Sequence, residues 1–375
     1  MGDNTSIEWT DATWNPIVGC SVISPGCTNC YAMRLAGTRM KSHPTRAGLT
    51  REINGNHVWT GEVREVKTAL YDPLRWRRPR RIFVGAHTDI FHDAVPDAWL
   101  DRLFAVMALS PQHTFQVLTK RAERMRVYIG QRFDRHHPAM DYAACLSATG
   151  SWAHPLIDLR TWPLPNVWLG VSVEDQRRAD ERIPILLDTP AAVRWVSAEP
   201  LLGAIDLLRI AMPDIKYETG IHYQDVLRAG SWSFRPFFRP SQPGEPQTYF
   251  TNHSDTNRLD WIVVGGESGP GARPMHPDWA RTLRDQCAGA GVPFLFKQWG
   301  EWVPQVGAVD GWTINDDPEI SRFDHRDWEE GHWGDPYRPM WCDDRDDDTV
   351  SRVGKRAAGR LLDGVLHDAY PEISQ

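Results

Sequence analysis

The chain has 375 residues, 41% hydrophobic and 24% charged, with a formal net charge of −7. These are the proportions of a soluble globular protein with room for one large α/β domain or two ordinary ones. They exclude a membrane span, since no apolar run approaches roughly eighteen residues, and a protein that coats nucleic acid by bulk charge, while leaving room for a local basic groove.

The start, Met-Gly-Asp-Asn-Thr-Ser, has neither the basic nor the apolar region of a secretory signal. Gly2 and Ser6 formally fit a myristoylation pattern, but a polar exposed start explains them as well. Cys145, Cys287 and Cys342 stand far apart, and the other three of the six cysteines fall between residues 20 and 30. That is not a disulfide framework; a metal site in a reduced cytoplasm is expected. Eighteen tryptophans are an excess, to be divided between core anchors and stacking platforms.

In chain order, an apolar strand-like run from Trp14 to Val18 gives way at Cys20-Ser-Val-Ile-Ser-Pro-Gly-Cys27-Thr-Asn-Cys30 to a helical run from Tyr31 to Met40. Residues 41–62 read as a polar loop or insertion, and 63–75 as helical or irregular. Arg81-Ile-Phe-Val is the next strand, ending in His87, Thr88, Asp89 and His92. Pro96 then opens a helix in which Trp99, Leu100, Leu103, Phe104 and Met107 recur at helical spacing. Strand Thr114–Leu118 ends in Thr119-Lys120-Arg121 and precedes a helix through Tyr128. An insertion at 131–163, with His136-His137-Pro138, breaks the rhythm. It resumes with strand Val167–Val171, ending in Ser172-Val173-Glu174, and a helix around Gln176–Leu187.

Strand Val193–Val196 ends in Ser197-Ala198-Glu199, and a second insertion spans 211–258. Strand Trp261–Val264 ends in Gly265-Gly266-Glu267, a helix covers His276–Ala290, and strand Pro293–Phe296 ends in Lys297-Gln298-Trp299. Residues 301–375 form a Trp/Asp-rich extension with an acidic run at 343–348, which reads as a solvated loop. A basic helix over 353–364, carrying Lys355, Arg356 and Arg360, closes the chain.

Short apolar runs alternating with helices describe parallel strands buried on both faces. Most end in a polar cluster on the C-terminal side, the face that carries chemistry in (β/α) barrels. No glycine fingerprint follows the first strand, which argues against a doubly wound sheet. The expected fold is α/β, a full or partial (β/α) TIM-like barrel over residues 1–300.

Three thiolates on one loop hold a metal centre with one position open. In a [4Fe–4S] cluster, three protein ligands leave one iron free for a small molecule. Zinc is the competing reading: Cys27-x2-Cys30 is a normal knuckle, with Cys20 third and His43 or His57 fourth. The residues alone leave both open.

Several blocks carry a family resemblance: Thr13-Trp14-Asn15-Pro16, Gly26-Cys27-Thr28-Asn29-Cys30-Tyr31-Ala32, Val167-Trp168-Leu169-Gly170-Val171-Ser172-Val173-Glu174, Glu199-Pro200-Leu201-Leu202-Gly203, Gly266-Glu267-Ser268-Gly269 and Phe296-Lys297-Gln298-Trp299-Gly300. Together they resemble a phage-associated three-cysteine-motif family of uncharacterised proteins, from about residue 6 to 364. A three-cysteine loop followed by a βα series is also similar to the radical S-adenosylmethionine (SAM) superfamily. That resemblance implies a [4Fe–4S] cluster on Cys20, Cys27 and Cys30, chelated at its fourth iron by SAM, whose reductive cleavage yields a 5′-deoxyadenosyl radical. Two departures stand out. The first cysteine gap is six residues where the superfamily commonly has three, and Asn29 stands where an aromatic residue usually faces the adenine, with Tyr31 just after it.

The barrel reading assigns cofactor contacts to Asp89, Ser172, Glu174, Ser197, Glu199, Glu267 and Lys297 at strand ends, with Tyr31 beside them. For the three glutamates, the plain alternative is a helix cap or a pair with a loop arginine. A (β/α)-barrel enzyme acting on a nucleobase, as spore photoproduct lyase does, would use Trp299 for stacking. A small-molecule or protein substrate, and a nonenzymatic zinc- or Fe–S-bearing nucleic-acid binder using basic segments 75–81 and 352–360, are the alternatives. The run Arg75–Arg81 leads into a strand, which places it on the face opposite the cysteines. The expected partners are SAM, an electron donor, a nucleic-acid substrate and a three-cysteine-motif partner protein, with no membrane.

Overall fold

The computed structural model describes residues 5–132, 162–212, 222–228, 232–237, 247–252, 257–304, 322–323 and 350–372. The acidic run 343–348, Cys145, Cys342, His136, His137 and most of the stretch 131–163 lie outside them.

Seven strands form one sheet: β1 Ala12–Trp14, β2 Arg81–Val84, β3 Thr114–Thr119, β4 Val167–Ser172, β5 Val193–Ala198, β6 Trp261–Gly265 and β7 Phe294–Gln298. Their order in the sheet is their order in the chain. Parallel registers include Thr13 opposite Phe83, Ile82 opposite Phe115, Val117 opposite Leu169 and Val263 opposite Leu295. A doubly wound sheet reverses its strand order at a switch point; this one never does. Helices α1 Tyr31–Gly37, α2 Asp97–Ala108, α3 Ala122–Arg132, α4 Gln176–Asp188 and α5 Pro277–Ala290 occupy the crossovers. Of the full and partial barrel readings the partial one holds, because β1 and β7 stand at opposite ends of the strand order and do not pair with each other. The topology is that of a partial (β/α) barrel.

The residue pattern accounts for these elements. Strands β4 and β6 are buried along their whole length, as two-sided packing requires. Pro96 precedes α2, whose Leu100, Leu103, Phe104 and Met107 are all buried. In α5, Pro277 opens the first turn, His276 accepts the Asp278 amide, and left-handed Gly291 ends the helix.

The chain divides into two compact units, Met1–Ser172 with Asp188–Trp195, and Val173–Leu187 with Val196–Gln375. In the first, the Trp9 ring meets Phe83 at 4.7 Å and Trp195 at 5.2 Å. Gly170 makes room for that packing, since a Cβ there would lie 2.5 Å from the Trp195 ring. In the second, the C-terminal segment pairs along the outer edge of β7: Phe296 N–H donates to His367 O and Ala369 N–H to Phe294 O. Trp261 Nε1 donates to Ala369 O at 2.8 Å, and its ring lies on Tyr370.

Two of the inserted segments have strands of their own, and one expectation, the C-terminal helix, is corrected. Residues 41–62 hold a β-hairpin, Thr50–Ile53 with Asn56–Trp59, turned through Asn54 and Gly55, both at positive φ. The second insertion carries an antiparallel sheet in the order Ile210–Met212, His222–Gln224, Trp232–Phe237, Gln247–Asn252. The basic C-terminal helix is only Lys355–Ala358; left-handed Gly359 stops it, and a hairpin of Leu361–Leu362 with Val365–Leu366 follows.

Candidate functional site

Beyond β1, Ile17–Val18 pairs with Arg64–Glu65, and Gly19 then turns the chain into the cysteine loop. A Cβ on Gly19 would stand 2.1 Å from Glu62 O, and its φ is +93, so glycine alone suits this crossing. Pro25–Cys27 makes one 3₁₀ turn, closed by Cys27 N–H to Ser24 O. Cys30 is the N-cap residue of α1. All three cysteines are free and partly buried. Val18, Ala32, Met33, Ala36, Leu49 and Trp59 form an apolar cluster against which Cys20 and Cys30 pack.

Burial sets the thiol chemistry. It pushes the Cys20 thiol up to about 12, with the Asp89 charge adding to the rise and Arg121 opposing it. Cys30 is also raised by burial, against the pull of the Met33 backbone amide. The Cys27 charge adds a smaller rise to Cys20 and to Cys30.

A buried polar layer holds the loop from the β2 and β3 ends. The Asp89 carboxylate accepts from the Phe91 amide at 3.0 Å, Thr119 Oγ1 at 2.7 Å, the Lys120 amide at 3.0 Å and Arg121 Nη1 at 3.0 Å. Arg121 also directs Nη1 at Cys20 Sγ, 3.8 Å away, and donates from Nη2 to Ser21 Oγ at 2.7 Å. Burial works against the Arg121 cation, but Asp89 and then Cys20 outweigh it, and its pKa is raised. His92 Nδ1 accepts the Ala94 amide, so the neutral ring carries its proton on Nε2, 2.9 Å from Ser21 Oγ. Burial and the Arg121 charge lower the His92 pKa and favour that neutral form.

Other candidates of the first unit lie nearby. Tyr31 turns its hydroxyl onto Ala86 O at 2.6 Å while its residue stays 46% exposed. Burial of the hydroxyl raises its pKa. Thr88 Oγ1 donates to Gly19 O, and the His87 ring lies edge-on to Tyr31. Lys120 Nζ reaches Ser172 Oγ at 2.7 Å.

In the second unit, Glu199 accepts from Ser197 Oγ at 2.9 Å and pairs with Lys297 Nζ at 2.8 Å. This trio joins the ends of β5 and β7. Glu174 is fully buried against Arg182 Nη1 at 3.0 Å, and Glu267 holds Arg273 at 2.6 Å. Arg273 is a loop arginine, as the plain alternative has it for Glu267, whereas Arg182 lies within α4. Trp299 is corrected as a stacking platform: it is buried, packs on Phe296 and donates from Nε1 to Leu361 O.

The residues around the loop test which metal group suits it. His43 Nδ1 bonds Thr45 Oγ1, and the His57 ring lies where a Cβ on Gly37 would stand. Among the described residues, no group of three or more His, Cys, Asp and Glu is already gathered for a metal ion. The thiols bond separately, Cys20 to Ser21 O and Cys27 to Ser24 Oγ, so converging on one centre requires them to rotate. Three thiols on one loop have the donor chemistry of a cluster that keeps one position open, and zinc needs a fourth ligand besides them.

Sequence reasoning did not single out Trp59, Ser21 or Arg46. The Asn54-Gly55 turn signal points to the hairpin that carries Trp59; Ser21 and Arg46 have no comparable signal.

Fold and site together define an α/β protein with a cysteine loop beyond the C-terminal end of the first strand of a sequentially ordered parallel sheet. The chain belongs to the family described as protein of unknown function (DUF5131), whose model matches residues 4–371. No curated protein and no solved structure matches it. No helix among the described residues is long and apolar enough to cross a membrane.

Proposed function

We propose that the chain is an enzyme of the radical SAM type, with Cys20, Cys27 and Cys30 holding a [4Fe–4S] cluster and SAM as its co-substrate. The observation that carries this reading is three free cysteines on one loop, Cys20 and Cys30 packed against one apolar cluster and Arg121 directed at the Cys20 sulfur. When bound, such a cluster supplies the electron that cleaves SAM to methionine and a 5′-deoxyadenosyl radical.

The chain's own residues have separable tasks in this reading. Arg121 holds a positive charge near the Cys20 sulfur and favours its thiolate, while Asp89 keeps that guanidinium in place. Tyr31, with its hydroxyl anchored on Ala86, offers an exposed ring edge for a nucleoside. Lys120 and Ser172 offer polar groups to an amino-acid moiety. With Trp299 buried, a nucleobase substrate rests on the family resemblance; an electron donor is required in any case.

The test is reduction of the anaerobically reconstituted protein in the presence of SAM. The reading expects 5′-deoxyadenosine and methionine from the parent protein and neither from Cys30→Ala. A cluster-loaded protein that leaves SAM intact under strong reductant would overturn it. Titration with single-stranded and damaged DNA at two salt concentrations tests the substrate class, since phosphate contacts make affinity fall steeply with salt.

A further inference from the structure

Cys20 is braced on both sides. Before it, the Gly19 amide donates to His87 O and the Gly19 carbonyl accepts Thr88 Oγ1 at 2.6 Å. After it, Ser21 Oγ lies 2.7 Å from Arg121 Nη2 and 2.9 Å from His92 Nε2. Both nitrogens carry protons, so the hydroxyl oxygen accepts from two donors, one beyond β2 and one beyond β3. Arg121 thus meets the loop twice, at Ser21 and at the Cys20 sulfur, 3.8 Å from Nη1.

Two charges of opposite sign stand together beside that sulfur. Arg121 is 8% exposed and Asp89 7%, with Nη1 and Oδ2 at 3.0 Å, so water screens neither well. The Asp93 carboxylate also lies 3.8 Å from Arg121 Nε, but its side chain is 82% exposed and its field is damped by solvent. Beneath the larger effect of burial, Asp89 raises the Cys20 pKa and Arg121 lowers it. An electron taken up by a metal group on Cys20 is likewise a negative charge, and it meets the same two fields with the same signs. Turning the Cys20 side chain toward its partners swings the sulfur about a fixed Cβ. The guanidinium, held by Asp89 and Ser21, does not turn with it.

Resting on the radical SAM reading, we propose that Arg121 and Asp89 are an opposed charge pair that sets the reduction potential of the cluster on Cys20, Arg121 raising it and Asp89 lowering it. Net charge and hydrogen bonds to the ligand sulfurs are the levers by which a protein tunes such a cluster, and Arg121 brings both. The step governed is the uptake of one electron from an external one-electron donor, with no bond made or broken. Arg121 acts through the Cys20 sulfur and is a positioning and tuning residue.

The experiment measures the midpoint potential of the anaerobically reconstituted full chain by a redox titration followed by electron paramagnetic resonance. SAM is left out, so the readout does not depend on catalysis. Arg121→Gln is expected to move the midpoint to more negative potential by at least a tenfold change in the one-electron equilibrium, about 59 mV. Asp89→Asn is expected to move it the other way, to more positive potential. Arg121→Lys, which keeps the charge, should lie closer to the parent than Arg121→Gln does. A general loosening of the loop would move Arg121→Gln and Asp89→Asn in the same direction, so opposite shifts separate a charge effect from a structural one. If Arg121→Gln holds no cluster, the sign of the Asp89→Asn shift decides. Equal midpoints in the parent and Arg121→Gln, shifts of one sign in both variants, or a negative shift in Asp89→Asn would overturn the proposal and leave the radical SAM reading standing. A parent chain that takes up no iron overturns both.

Discussion

Asp89 accepts hydrogen bonds from two amides, a hydroxyl and a guanidinium, so its oxygens organise the protein around the cysteine loop. Asp89→Asn removes the charge that balances buried Arg121, and the loss is expected to be about 3–5 kcal/mol of stability by urea unfolding, the range for a broken buried pair. A loss within experimental error would mean that the pair is not buried. Cys20 offers a second check. Its thiol is pushed up to about 12, against roughly 8.5 for an ordinary cysteine. In metal-free protein at pH 8 its alkylation by iodoacetamide should be slower than that of an unfolded peptide by on the order of a thousandfold, read by peptide mass spectrometry; an equal rate would refute the burial account. The cysteines are legible in the sequence because their spacing is itself the signal. The role of Asp89 is not, because its partners Thr119, Lys120 and Arg121 lie thirty or more residues away in the chain.

At the scale of elements, two loops of the second unit pass each other through glycines. A Cβ on Gly266 would stand 1.9 Å from Trp299 O, and one on Gly300, at φ +88, would stand 2.1 Å from Glu267 O. Gly266→Ala is expected to cost more than about 2 kcal/mol, because a backbone rather than a mobile side chain blocks the methyl group. Gly48→Ala, also at positive φ but with nothing within 4 Å, should cost only about 1 kcal/mol. Urea midpoints of the two variants decide it, and equal losses would show that the loop crossing is not rigid. The buried strands were legible as apolar runs, and α2 and α5 from proline starts and helical spacing. The hairpin of residues 50–59 was less so: its strands are largely polar and exposed, leaving only the Asn54-Gly55 turn as a signal.

At the scale of the whole molecule, βα alternation in the sequence already implied parallel strands in chain order, and the sheet has that order. Incomplete closure was not legible, because it depends on a pairing between distant segments. The C-terminal segment lies antiparallel on β7, with Asp368 opposite Leu295, and occupies the edge where a further parallel strand would add. A chain ending at Leu366 would bare that edge and remove the acceptor of Trp261 Nε1. It should aggregate at concentrations where the full chain stays monodisperse by light scattering; equal behaviour would show that the segment is not an edge cover. The central claim, that three thiols on one loop hold an open cluster, is tested most directly by metal and sulfide analysis after anaerobic reconstitution. The account predicts about four irons and four sulfides per chain, with cluster binding impaired in Cys20→Ala, Cys27→Ala and Cys30→Ala. Stoichiometric zinc without iron uptake, or a full cluster in the Cys30→Ala protein, would contradict it.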